Sequence, residues 1–259
     1  MFYNTECMTI REIGDYLIWF MIYSFIGWIY ESGLRSFTHK RWYNSGFLNG
    51  PYIPIYGCGA VLDIYFLGSL RDPFLIFFLA ANINCILEYL TSYEMEELFH
   101  ARWWDYSKKP LNINGRVYYM GYIAFGVFAT LTILYLHPWL KAHTTDNMSD
   151  TAVLVSSLLV ILTISIDTFI TVRSMKDFQE KMETLTLALE EHHERISKEL
   201  MERIDSLQSL ERIKDLEKRL NAQERRLFNA FPDLKFHNIR YTAEEIRSMI
   251  IEQNKKLFR

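Results

Sequence analysis

Long apolar runs alternate with short polar connectors through the first two thirds of the chain and then stop. A membrane-crossing helix needs about 20 mostly apolar residues, and five segments qualify: 16–34, 52–70, 73–91, 118–136 and 151–172. Pro51, Pro54, Gly57 and Gly59 crowd the start of the second. A crossing that begins as loop is tolerated only where that loop is buried in protein or lines a cavity. The pattern predicts an all-α, polytopic membrane helix bundle of about five transmembrane helices, followed by a long cytoplasmic helix.

Beyond Arg173 the chain is charged, with no glycine after Gly126 and no proline between Pro138 and Pro232. Apolar residues recur at Phe178, Met182, Leu185, Leu189, Ile196 and Leu200, with His192 in one slot, close to a coiled-coil seam. The register then drifts through Ile204, Leu207, Leu210, Ile213 and Leu220. Some 50 residues of helix would reach about 75 Å. Its seam predicts pairing, either across a homo-oligomer or by folding back on the tail. After Pro232, Thr242 and Glu245 form a capping box that opens a last short helix. The expected units are therefore a bundle at 1–173, the long helix at 174–231 and a tail at 232–259.

Lys and Arg placement sets the expected orientation. Arg35, Lys40 and Arg41 lie between the first two runs; Arg102, Lys108, Lys109 and Arg116 between the third and fourth; Arg173, Lys176 and Lys181 after the fifth. The remaining segments carry one cation each. This predicts an amino end outside and a carboxyl end in the cytoplasm of the cell membrane. The net charge of −3 comes with no basic cluster of the kind that tracks phosphates, which argues against nucleic acid. Cys7, Cys58 and Cys85 lack metal-ligand spacing and read as free thiols.

The candidate chemistry lies in polar residues that interrupt the apolar runs. Asn84, Glu88 and Ser92 share one helical face. A carboxylate on a membrane helix costs about 2.5 kcal/mol or more to insert, and such residues face a bundle interior or a wet cavity. Glu31 ends the first run, with Arg35 one turn on, and Asp167 lies near the cytoplasmic end of the fifth. Asp63 is the outlier, deeper in the second. With Asn44, Asn49, Glu97, Arg102, Asp105, Asn112 and Arg116 in the flanking loops, these residues predict one cytoplasm-facing substrate- or ion-binding pocket. The plainer readings are buried struts for the acids, turn chemistry for the asparagines, and a headgroup belt for Trp42, Trp103 and Trp104. His100 has no partner at a ligand spacing, so no metal is expected. There is no nucleophile elbow, no HExxH and no Gly-Lys-Ser or Gly-Lys-Thr. Neither enzyme activity nor a cofactor is expected, although two carboxyls such as Glu31 and Glu88 could share acid and base work if burial raised one pKa.

Several strings are long and unusual. Gly27-Trp28-Ile29-Tyr30-Glu31 and the run 44–57, Asn-Ser-Gly-Phe-Leu-Asn-Gly-Pro-Tyr-Ile-Pro-Ile-Tyr-Gly, are two of them. Leu87-Glu88-Tyr89, Met95-Glu96-Glu97-Leu98-Phe99, Arg102-Trp103-Trp104-Asp105-Tyr106-Ser107 and Asn112-Ile113-Asn114-Gly115-Arg116 are others. Together they resemble the ABC-transporter permease family called type IV, or CmpB-like, from the first run to the end of the fifth. Two positions depart from its pattern: Ser45 where the family has arginine, and Phe125 where it has tryptophan. The resemblance implies a bacterial multi-pass membrane protein filed as a permease component, which would need a separate ATPase subunit. Membrane lipids are the other expected partner.

Three functions follow. The leading one is a transport or ion-conducting subunit working through Glu31, Glu88 and Asp167, with Arg102 and Arg116 offsetting charge. The second is a membrane-anchored interaction or sensor protein working through its long helix. The third is a membrane enzyme acting on a lipid or isoprenoid headgroup.

Overall fold

The computed structural model describes residues 8–197, 212–213, 215–237 and 239–256. It is helical almost throughout, in chain order α1 (Ile10–His39), α2 (Pro54–Leu67), α3 (Pro73–Phe99), α4 (Tyr119–Leu131), α5 (His137–His143), α6 (Asp150–Ser197), α7 (Ala222–Ala230) and α8 (Ala243–Lys256). Two-residue strands β1 (Ala101–Arg102), β2 (Asn112–Ile113), β3 (Val117–Tyr118) and β4 (Lys235–Phe236) pair antiparallel as β1–β4 and β2–β3. Among the described residues four stretches are long and apolar enough to cross a membrane: Ile10–Thr38, Pro73–Phe99, Tyr119–Asn147 and Asp150–Glu191. The fifth expected span is the 14-residue α2, too short to cross by itself.

The chain forms two compact units. In the first, residues 1–91 and 106–169, α1 opens with a capping box, Thr9 to Glu12, and ends at Lys40 in the left-handed conformation. The connector that follows turns back along α1. Tyr43 N donates to Ser36 Oγ at 2.9 Å, Ser45 N to Ser32 Oγ at 3.0 Å, and Ile53 N to the Ser24 carbonyl at 2.9 Å. Trp28 Nε1 donates to Asn44 Oδ1 at 2.6 Å. Ser24, Trp28, Ser32 and Ser36 recur every four residues, so one stripe of α1 supplies partners for a backbone with no ladder of its own. From Pro54 the chain becomes helical, and α2 continues beside α1 until Tyr65 meets Tyr16 edge to face at 6.2 Å. Gly57 permits the close approach: a methyl there would overlap Ser24 Oγ and the Phe20 carbonyl. Residues 43–67 thus run the length of α1 from Ser36 to Tyr16, half as loop and half as helix.

Asp72 caps α3 by accepting from Leu75 N at 2.8 Å, and Leu67, Ile76, Ala80, Ala129 and Ile133 pack into a common core. Between α4 and α5 the helix widens to a π turn, Thr132–Leu136. Pro138 lacks an N–H, and its ring opposes the carbonyl four residues back; the wider turn relieves that conflict without ending the span. Of the residues of α6 in this unit, Leu158, Leu162, Ile166 and Phe169 are exposed, as lipid-facing residues should be, while Asp167 points inward.

The second unit comprises residues 92–105 and 170–259. Phe178, Met182, Leu185 and Leu189 form the expected seam and are all but fully buried within the single chain. Phe178 meets Phe236 at 5.6 Å, and Lys181 Nζ donates to Glu224 Oε1 at 2.9 Å. Folding back on the tail is therefore the arrangement adopted over this stretch. The helix itself begins at Asp150 and runs unbroken for 48 residues, about 72 Å, so span and extension are one element. The seam positions from Leu200 to Leu210 and the side chains of His192 and Ile196 lie outside the described residues. Thr242 and Glu245 cap α8 as expected.

Candidate functional site

Two carboxyls from different spans act on one another in the first unit. Glu31, in the last third of α1, pairs with Arg35 at 3.2 Å, one helical turn away. The hydroxyl of Tyr56, from the first turn of α2, donates to Glu31 Oε2 at 3.3 Å. Gly27 makes room for that tyrosine, since a methyl there would run into its ring. Glu88, on α3, feels the charge of Glu31 and accepts a hydrogen bond from the Tyr106 hydroxyl. The other oxygen, Glu88 Oε2, is buried without a hydrogen-bond partner. It faces Gly121 at the start of α4, where an added methyl would stand 3.8 Å away. Tyr106 is fixed by its N–H, which donates to the Gly115 carbonyl at 2.7 Å, and by contact with Tyr118. Burial, and then the charge of Glu88, hold the Tyr106 phenol well above its ordinary pKa, so it stays a donor.

Two like charges that act on one another in a part-buried setting favour a proton or a bound cation on one of them over two bare carboxylates. The arrangement therefore has the chemistry of a cation or proton site, with Arg35 neutralising one member.

Asp167 is built differently. Its Oδ1 accepts from Asn49 N at 3.1 Å and Asn49 Nδ2 at 2.8 Å; its Oδ2 accepts from Gly50 N at 2.8 Å and the Tyr52 hydroxyl at 2.6 Å. The Tyr52 hydroxyl is the donor in the shortest of these four bonds. Asp167 is thus the anchor of the returning loop.

The remaining candidates divide. Asn44 holds the loop to Trp28, and Asn49 belongs to the Asp167 anchor. Asn112 does turn work: its amide donates to the Ser107 and Lys109 carbonyls and accepts from Gly115 N. Arg116 is buried, its guanidinium 5.7 Å from the centre of the Tyr89 ring, and Asn114 donates to that tyrosine's hydroxyl at 2.9 Å. Ser92, Glu97, Arg102 and Asp105 belong to the second unit. There Arg102 pairs with Glu96 at 3.3 Å and with Asp105 at 3.4 Å, Ser92 is buried and Glu97 is exposed. Trp103, expected in a headgroup belt, is instead a core residue packed on Phe99 and Phe231. Trp42 is exposed as a belt residue should be. No group of three His, Cys, Asp or Glu side chains suited to a metal occurs among the described residues.

Nothing in the sequence marks Tyr56 or Tyr106 as a site residue, although both lie inside strings that carry the family resemblance. Their spacing gives no hint of a role, because each arrives from a loop or a helix start. An apolar cleft of about 400 Å³ opens beside the same stretch of α3, lined by residues that include Ile86, Tyr89, Leu90, Tyr118 and Tyr122.

A family model described as Putative ABC-transporter type IV matches residues 18–172, more than half of the chain. The chain belongs to this family. The match to the type IV family covers Glu31, Glu88, Asp167, Tyr56 and Tyr106 alike. Its description places the chain among transporter components, and with four helices of spanning length the chain is a membrane protein. Comparisons with curated proteins and with solved structures give no match.

Proposed function

We propose that this chain is the membrane subunit of a transporter whose working centre is the Glu31–Glu88 pair, and that its cargo or coupling ion is a proton or small cation. The observation that carries the reading is that two carboxyls from separate spans act on one another electrostatically, and one of them keeps a buried oxygen without a hydrogen bond. Acids placed this way mark pathways more often than struts. Tyr56 and Tyr106 position the two carboxyls, and Arg35 offsets one charge. Bond chemistry is left to a separate ATPase, since the sequence has no phosphate-binding loop. The positive residues favour an outside amino end and a cytoplasmic carboxyl end. Residues 43–67 support the odd number of crossings this requires, because loop and α2 together run alongside most of α1. That orientation puts the pair near the inner leaflet.

Proteoliposomes holding the full chain test the proposal through flux of protons and monovalent cations, with and without an added ATPase subunit. Glu88→Gln should lower flux at least tenfold while leaving the chain folded in detergent. Equal flux in the variant and the parent, or none in the parent under either condition, overturns it.

A further inference from the structure

Asp63 takes no part in the site above. It lies in the middle of α2 and is 3% exposed. Asn84 Nδ2 donates to Asp63 Oδ2 at 2.7 Å and to the Ala80 carbonyl at 2.9 Å. The Asn84 amide oxygen rests on Gly59, where a methyl would overlap it. Asp63 Oδ1 is buried with no hydrogen-bond partner, and so is Ser24 Oγ, fully buried against Gly57. The elements packed against α2 include α1, α3, the π turn and α5, whose Leu140 shares a core with Ile64 and which also carries His137. Among their described side chains no charged or titratable group acts on Asp63; its one polar influence is the Asn84 amide.

A carboxylate so enclosed, with one neutral hydrogen bond and one bare oxygen, is costly, and a group in that position neutralises rather than remain charged. A metal cation does not fit. Hard cations take six or more oxygens, whereas here the nearest amide offers its N–H to the carboxyl and turns its oxygen onto Gly59. A proton fits, because Oδ1 can carry it while Oδ2 goes on accepting from Asn84.

We propose that Asp63 is an intramembrane proton-binding site, neutral while the bundle encloses it and discharged when the bundle opens to water. The proton adds to Oδ1 from hydronium, leaving water, and returns to water on release; no other bond changes. As a coupling site Asp63 rests on the transport reading, but its protonation does not.

Dicyclohexylcarbodiimide adds to protonated carboxyls in apolar surroundings and tests the proposal on the full chain in liposomes. Mass spectrometry should find the adduct on Asp63 at about pH 6 and several-fold less of it at about pH 9. Gly59→Ala should displace the Asn84 amide, remove the one hydrogen bond to the ionised form and carry labelling to higher pH. An infrared carboxylic-acid band present in the parent and lost in Asp63→Asn gives a second readout that needs no reagent access. Finding neither adduct nor band, or labelling that ignores both pH and Gly59→Ala, overturns the proposal. Its failure is separable from that of the transport reading: loss of flux in Glu88→Gln with no proton on Asp63 sinks the first alone, and a protonated Asp63 in a chain without flux sinks the second alone.

Discussion

Asp167 and Glu88 carry the same functional group on two membrane helices, and the fold treats them in opposite ways. Asp167 accepts four hydrogen bonds, two from backbone N–H groups, and spends its charge on fixing a loop. Glu88 shares its surroundings with another acid and keeps one buried oxygen without a hydrogen bond. A satisfied acid stores stability, whereas an under-satisfied one holds free energy that a ligand or proton can release. Among intramembrane acids the count of donors around each carboxyl, more than its depth, separates strut from site.

The sharpest way to break this contrast is Asp167→Ala. It leaves Asn49 N, Gly50 N and the Tyr52 hydroxyl without their acceptor, and unsatisfied buried groups cost about 1–3 kcal/mol each. Folded yield and the detergent melting temperature should fall together, by the equivalent of about 3 kcal/mol or more. Glu88→Gln should do the reverse, leaving melting within about 1 kcal/mol of the parent while flux is lost. If both variants melt alike, the distinction fails. The second unit offers an independent case in Glu224, which is fully buried, paired with Lys181 and capping α7. Glu224→Ala strands the lysine and removes the Glu224 half of the capping box, a loss of about 3 kcal/mol by proteolysis or melting of that unit, with flux through the bundle unchanged. Smallest is Tyr52→Phe, which deletes one of four bonds to Asp167 and should lower stability by about 1.5 kcal/mol. A larger loss would mean that the four bonds act as a unit.

The second run, expected to span, folds as the short α2, whereas the other four of the five expected spans and the pairing of Glu31 with Arg35 are legible in the sequence because both depend on local pattern. So is the seam, since a buried stripe repeats along one helix whatever covers it. What covers it is not legible, because the heptad pattern is the same for a partner chain and for a returning tail. Asp167 shows a second limit: its partners, Asn49, Gly50 and Tyr52, lie more than a hundred positions away in a loop with no periodicity of its own. Tyr56 and Tyr106 show a third, since a tyrosine that positions a carboxylate and one at the headgroup level read alike in one chain. Trp103 misleads for the same reason.

The stripe of Ser24, Trp28, Ser32 and Ser36 has a consequence for how this protein reaches the bilayer. From Ser36 to Ser24 the partner strand spans about 18 Å of backbone with no internal hydrogen-bond ladder, and such a segment has no favourable partition into hydrocarbon alone. Residues 43–53 are therefore expected to enter the bilayer only when paired with α1. The expected first integrated species is a hairpin of α1 with 43–67, and a variant that loses the Ser32 and Ser36 hydroxyls and the Trp28 indole should stall at biogenesis, before any question of stability or transport arises.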